Sequence, residues 1–208
     1  MTSSSVLLLL FPLLLTFPPV AALHVVITGG TGPLGQAVSH VLSNPPQSHK
    51  ITVLTRNSFL ASTPSRVSSD FGWIGKSFLS SHPNVFLRDW DGGDLLDIVG
   101  KDWIGWQEDT LSNADVVINL VGGLTVQRSM ATERIIRGLS EVGNPRTMVV
   151  SVSPTDEDLR TKLRKDRVAL CEKMVQANCP NGVCLRFGEE KKEFQRACEE
   201  IVRLVDSL

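Results

Sequence analysis

Tyrosine is the most informative absence from this chain, because none of its 208 residues is a tyrosine. A mechanism that uses a phenol as its proton donor or acceptor is therefore excluded. The formal net charge is only −1 and the 21 Lys and Arg residues are dispersed, which argues against a nucleic-acid-binding surface. The four cysteines have no histidine beside them at the spacing of a metal site, so we predict no zinc centre.

The longest apolar run lies at the N-terminus. Residues Val6–Phe17 are apolar and are followed by prolines and small residues up to Ala22. This pattern predicts a secretory signal peptide over residues 1–22, with cleavage after Ala22, and therefore entry into the secretory pathway, either to remain there or be secreted or to continue to an organelle. The prolines argue against a stable transmembrane span, although an uncleaved anchor is the alternative. Residues 23–208 suffice for one α/β domain with a sizeable core.

The cysteines leave two alternatives open in an oxidising compartment. Cys179 and Cys184 bracket a Pro-Asn-Gly turn, so a local disulfide between them is geometrically conceivable. Alternatively all four are small buried or half-exposed thiols, namely Cys171, Cys179, Cys184 and Cys198.

A glycine-rich segment directly follows the apolar run His24–Ile27. It predicts a turn between a buried parallel strand and a helix, which is typical of sites for a dinucleotide pyrophosphate. Gly29 would permit the tight turn, Gly32 the close approach of a phosphate, and Gly35 the packing of helix on strand. The predicted cofactor contacts are Thr28, Gly29, Gly30, Thr31, Gly32, Pro33, Leu34 and Gly35. The alternative is a glycine-rich turn whose phosphate site is unused.

A residue just after the second predicted strand indicates which nicotinamide cofactor is preferred. Ile51–Leu54 leads into Arg56, where an acidic residue would accept hydrogen bonds from the ribose of NAD. An arginine instead pairs with a 2′-phosphate, so Arg56 favours NADP over NAD. The alternative is that Arg56 is a solvated charge at a strand end.

Three segments together carry a resemblance to a known family. Ile27–Gly35, Val53–Asn57 and Ala114–Gly122 resemble the extended and atypical short-chain dehydrogenase/reductases. Within them the chain is most similar to the NAD-dependent epimerase/dehydratase group and its sugar-nucleotide-epimerase-like branch. The resemblance covers roughly residues 24–187 and implies a Rossmann fold that holds NAD(P).

The resemblance also implies contacts beyond the glycine loop. Asp89 would accept a hydrogen bond from the adenine amino group, and Trp90 would contact the ring, unless Trp90 only packs in the core. The backbone after the fourth strand would line the ribose and nicotinamide, at Leu120, Val121 and Gly122. For Asn119, just before them, the alternative is that its side chain only satisfies the strand end.

Alternation of short apolar runs with helical patterns predicts a doubly wound α/β fold. We expect a parallel sheet in the order 3-2-1-4-5-6 with helices on both faces. Strands are predicted near 24–28, 51–55, 84–88, 115–120, 147–152 and 183–187. Helices are predicted near 33–43, 70–80, 94–111, 128–142, 158–178 and 189–206. The Ser- and Thr-rich segment 57–69 is predicted to form a mobile loop near the adenine end.

The chain departs from the family at the chemistry. Active members use a serine or threonine after the fifth strand and then Tyr-x-x-x-Lys on the next helix. Ser153 matches the serine position and is the candidate catalytic residue, but Lys162 and Lys165 follow no tyrosine, so the lysine role is not transferred. Family members normally continue into a substrate-binding lobe at this point. Here only one predicted amphipathic helix follows Gly188, so most of that lobe is expected to be missing or vestigial. A truncated gene product would give the same pattern.

These observations favour an NADP(H)-binding protein, similar to an atypical short-chain dehydrogenase/reductase, without Tyr–Lys catalysis. Its role would be that of a redox sensor, an assembly factor or an accessory subunit, with a protein partner or a second copy. The alternative is an NADP-dependent oxidoreductase or nucleotide-sugar epimerase with an atypical acid or base. In that case Ser153 would donate a hydrogen bond and a partner chain would complete the substrate site. A degenerate fold that binds nothing is the third hypothesis.

Overall fold

The computed structural model describes residues 21–64, 74–90, 105–122, 126–188 and 190–208. Within these residues the chain alternates strands and helices. The strands are β1 His24–Thr28, β2 Lys50–Thr55, β3 Val85–Asp89, β4 Val116–Asn119, β5 Met148–Pro154 and β6 Gly182–Phe187. The helices are α1 Pro33–Ser43, α2 Ser58–Ala61, α3 Gly75–Ser81, α4 Val126–Val142, α5 Lys162–Asn178 and α6 Lys191–Asp206.

The described strands form one parallel sheet in the order β3-β2-β1-β4-β5-β6, which confirms the predicted fold class and strand order. Thr28 at the end of β1 lies between Leu54 of β2 and Asn119 of β4. The carboxyl ends of the central strands therefore meet at one edge. Because the strand order reverses between β1 and β4, a crevice opens at that edge, where ligands of open α/β sheets bind.

Helices cover both faces of the sheet. On one face α1 and α6 pack together over β1, and their buried side chains include Val38 and Ile201. On the other face α4 buries Ala131 and Ile135 against Val117 and Trp106. Each fully buried aliphatic side chain of this kind contributes about 1.5–3 kcal/mol to folding. The sheet is therefore packed between two apolar layers, which hold in place the strand ends that form the crevice.

The helix predictions need correction chiefly at three places. Only the end of the predicted helix 94–111 lies in the described residues, and Gln107–Leu111 forms a single π-helical turn there. The predicted helix 158–178 begins later, at Lys162, because the Thr155 hydroxyl donates to Asp158 in a turn and Thr161 caps the helix. Of the predicted helix 70–80, residues 70–73 lie outside the described residues and the helix extends to Ser81.

The predicted mobile loop over residues 57–69 is also partly wrong. Ser58–Ala61 is helical, since the Asn57 side chain accepts a hydrogen bond from the Leu60 N–H at 2.9 Å. Residues 65–69 lie outside the described residues, as do residues 1–20 of the predicted signal peptide. Across the described ranges, no helix combines the length and apolar character needed to cross a membrane.

The four cysteines are free thiols in the structure. Cys171 and Cys179 are buried, whereas Cys184 and Cys198 are half-buried. Burial raises the pKa of Cys179, Cys184 and Cys198. These three thiols therefore stay protonated at neutral pH, which makes them poor nucleophiles.

Candidate cofactor-binding cleft

A cleft of about 870 Å³ lies along the carboxyl edge of the sheet. Its walls come from the glycine loop, from the chain after β2 and β4, from α4, from the end of β5 and from the start of α6. No aspartate or glutamate lines the described walls, whereas two arginines do. The lining thus favours an anionic ligand.

Two glycines of the loop are required by the fold itself. Gly29 has φ +69°, and a Cβ there would lie 2.7 Å from the Leu120 carbonyl. A Cβ on Gly35 would lie 2.2 Å from the Gly30 Cα, because α1 packs directly on the loop. Any side chain at either position would force the backbone apart.

Gly32 is the N-cap of α1, and packing does not require its side chain to be absent. Its backbone is extended at φ −75° and ψ 172°, and a Cβ there would lie no closer than 3.7 Å to the Gly29 carbonyl oxygen. It precedes α1, whose start is capped by no side chain of the described chain and has proline at its first position. Unpaired N–H groups and the helix dipole make such a start attractive to phosphate. The space beside Gly32 at the start of α1 is therefore open.

Not every predicted residue of the loop faces the cleft. The Thr28 hydroxyl is buried and donates to the Asn119 side chain at 2.9 Å, and Gly30 is buried under Ile27 and Val53. Asn119 also accepts from the Val121 N–H at 3.2 Å, so it satisfies the strand end. The remaining predicted loop positions line the cleft, namely Gly29, Thr31, Gly32, Pro33, Leu34 and Gly35.

At the β2 side, Arg56 is exposed and lines the cleft. Asp89 does not line it. Both carboxylate oxygens of Asp89 instead accept from Ser58, from its N–H at 2.6 Å and from its hydroxyl at 3.0 Å. Asp89 therefore fixes the start of α2 instead of facing an adenine.

The remaining predicted contacts, Trp90 and the residues after β4, also line the cleft. Trp90 is only 3% exposed and meets Trp106 edge to face with centroids 5.4 Å apart, yet it also lines the cleft. Core packing and cleft lining are therefore compatible for this residue. The backbone after β4 lines the cleft as the resemblance implied, at Leu120, Val121 and Gly122.

A buried arginine that the sequence analysis missed lies at the β5 end of the cleft. Arg128 of α4 donates to the Val121 carbonyl at 2.9 Å, the Val152 carbonyl at 2.7 Å and the Ser153 hydroxyl at 2.8 Å. It thereby ties the ends of β4 and β5 together. The available signal was its spacing, because it lies three and seven residues before the buried Ala131 and Ile135. An arginine among the buried positions of a helix is unusual and indicates a specific structural or functional contact.

Ser153 lies in this part of the cleft, but the lysines considered with it do not. Lys162 and Lys165 are exposed on α5 and do not line the cleft. Among the described residues no group of three or more His, Cys, Asp or Glu side chains is placed to hold a metal ion. Ser153 and Arg128 are therefore the polar side chains that the described chain places at this end of the cleft.

Comparison with known proteins identifies the fold. No protein-family model and no curated protein sequence matches the chain. The structure is similar to a putative short-chain dehydrogenase/reductase family oxidoreductase from Aeromonas hydrophila, with a TM-score of 0.57 and 12% identity over 86% of this chain and 90% of that one. It is also similar to a Rossmann-fold NAD(P)-binding family protein from Shigella flexneri, with a TM-score of 0.51 and 14% identity over 78% and 66% of the two chains.

A third similar structure is the UDP-N-acetylglucosamine 4-epimerase of Methanobrevibacter ruminantium, with a TM-score of 0.52 and 16% identity over 79% of this chain and 54% of that one. The chain thus spans little more than half the length of this epimerase. These neighbours are the kinds of protein that the sequence motifs resemble. At such low identity they establish the fold alone, which is a Rossmann-like fold.

Proposed function

We propose that this chain binds NADP(H) in the cleft and acts as a redox sensor, assembly factor or accessory subunit. The observation that carries the proposal is Gly32, whose missing side chain leaves open space beside the uncapped start of α1. A pyrophosphate fits this combination because it needs close backbone approach and unpaired N–H donors.

Arg56 supports the choice of NADP. It lies at the end of β2 and lines the cleft, and no carboxylate lines the described walls to bind ribose hydroxyls. A guanidinium binds a 2′-phosphate with charge-assisted hydrogen bonds. NADPH is therefore expected to bind more tightly than NADH.

The lack of tyrosine supports a non-catalytic role. Reduction of a carbonyl by a nicotinamide needs a proton donor beside the reacting oxygen, and no phenol exists in this chain to supply it. A protein that binds the cofactor without turning it over can act as a sensor of the cofactor's concentration or redox state. Robust turnover of NADPH with any nucleotide sugar would contradict this part of the proposal.

Calorimetry with NADPH and NADH tests the cofactor site. We expect Arg56→Ala to weaken NADPH binding about tenfold and to leave NADH binding nearly unchanged, since one charge-assisted contact is worth about 1.4 kcal/mol or more. Gly32→Asp should abolish binding of both, because it places a carboxylate where the phosphates lie. Lys162→Ala, an exposed charge away from the cleft, is the matched control. A well-folded wild-type protein that binds neither nucleotide would overturn the proposal.

The proposed site of action is the secretory pathway, as residues 1–22 predict. N-terminal sequencing of the protein isolated from its native cells should find Leu23 as the first residue. A sequence that begins before the apolar run Val6–Phe17 would contradict cleavage.

A further inference from the structure

Arg128 carries a buried charge that the described residues do not balance. Its side chain is only 2% exposed, yet its hydrogen-bond acceptors are two carbonyls and the Ser153 hydroxyl, all uncharged. Among the described residues no carboxylate lies within ion-pair distance of it, and its Nε is buried without a hydrogen-bond partner. A buried cation is normally paired with an anion, because removing it from water is otherwise costly.

The carboxylate that acts on Arg128 from farther away, Glu172, is already engaged. Arg186 donates to both oxygens of Glu172, at 2.8 Å and 2.7 Å. Burial lowers the pKa of Arg128, and the Cys171 thiol and Glu172 oppose this only in part. The guanidinium therefore retains an attraction for a further anion.

Ser153 lies between Arg128 and the cleft and is placed to hydrogen-bond an anion in the cleft. Its oxygen accepts from Arg128, so the hydroxyl proton is left to donate, and it has no acceptor among the described residues. Both residues line the cleft, where Phe187 and Phe194 supply apolar surface. A donor next to a positive charge and an apolar wall suits a carboxylate attached to an apolar body.

We infer that Ser153 and Arg128 form a subsite for a ligand carboxylate. Ser153 contacts the carboxylate, and Arg128 is a positioning residue that orients the serine and supplies the opposite charge. The inference rests on the proposed function, since the subsite occupies the β5 end of the same cleft as the cofactor. It specifies a small organic acid as the ligand that accompanies the nucleotide.

Benzoate and benzamide test this subsite because they have nearly the same shape and differ in charge. Both are titrated by NMR into the full chain, with and without NADPH, while NADPH binding is followed separately by its fluorescence. We expect benzoate to bind about tenfold more tightly than benzamide, as expected for a hydrogen bond to a charged group. Equal affinity of the two probes for the wild-type protein would overturn the inference. If benzoate is preferred but NADPH does not bind, the subsite is supported and the cofactor proposal fails.

Two variants separate charge recognition from a purely structural role. Arg128→Gln should bring the ratio of benzoate to benzamide affinity close to one through a selective loss of benzoate affinity, whereas general damage to the cleft would weaken both probes equally and keep the ratio. Ser153→Ala should also reduce the ratio and preserves the guanidinium if Arg128→Gln fails to fold. Arg137→Gln, an exposed position of the same helix, should keep the wild-type ratio. A ratio that persists in Ser153→Ala would overturn the assigned contact.

Discussion

The two ends of the cleft are built in different ways. The phosphate end, named for the pyrophosphate that we propose it binds, uses the backbone of one continuous segment, 28–35, in which glycines make room. The β5 end uses side chains from α4 and β5, where Arg128 and Ser153 are 25 positions apart in sequence. A backbone site leaves a local motif in the sequence, whereas a side-chain site forms only when the fold brings distant residues together. Substitutions at the two ends can break or sharpen this contrast.

The largest expected effect belongs to a glycine that the phosphate end needs for packing. Gly35→Ala would place a methyl group 2.2 Å from the Gly30 Cα, so we expect a loss of about 3 kcal/mol in unfolding free energy. Urea denaturation measures it. Gly122→Ala is the control, because a Cβ there would lie no closer than 3.9 Å to the Leu120 carbonyl oxygen. Equal stability of the two variants would show that the loop relaxes freely.

The β5 end should also contribute to stability, but through a side chain. Arg128→Gln removes donors from the buried Val121 and Val152 carbonyls, which we expect to cost about 2 kcal/mol. Arg137→Gln breaks an exposed pair with Glu141 and should cost less than about 0.5 kcal/mol. Thermal and urea unfolding of both variants provide the comparison. Similar losses of unfolding free energy in the two variants would mean that the burial of Arg128 does not explain its contribution to stability.

Gly32 sharpens the contrast within the phosphate end, because it should affect binding and not folding. Gly32→Ala fits the backbone, and the entropy it removes from the unfolded chain offsets the weaker N-cap, so the stability should change by less than about 0.5 kcal/mol. We expect NADPH affinity to fall about tenfold, or about 1.4 kcal/mol, as the methyl group intrudes on the phosphate. Calorimetry and urea denaturation on the same sample separate the two effects. Unchanged affinity would place the pyrophosphate elsewhere.

The smallest effect concerns the opposite edge of the sheet. Burial lowers the pKa of His24 and of His49, and Lys50 lowers that of His24 further. The unfolded chain therefore takes up protons first, so stability is full above about pH 6.5 and falls as the pH decreases below it. Melting temperatures between pH 5 and 8 should show this decline, reduced in His49→Gln. NADPH affinity at neutral pH should be unaltered in that variant.

Much of the fold could be predicted because its signals are local. Parallel strands such as β4 are continuous apolar runs, and the glycine loop follows β1 directly. The contacts of Asp89 and Arg128 could not be predicted, because each depends on a partner that only the folded chain brings near. Asp89 contacts Ser58, which lies 31 positions away in sequence. The sequence does not show whether a carboxylate at a strand end faces a nucleotide or the start of a helix.

The Gln36 side chain donates to the Thr31 carbonyl at 2.8 Å and so fastens the glycine loop to the first turn of α1. A loop held in this way has little conformational freedom left to lose when a nucleotide arrives. Association should then need no rearrangement step, and differences in affinity among nucleotides should appear mainly as differences in residence time. Gln36→Ala removes this hydrogen bond and should lower the association rate constant of the nucleotide, although every residue that lines the cleft is retained.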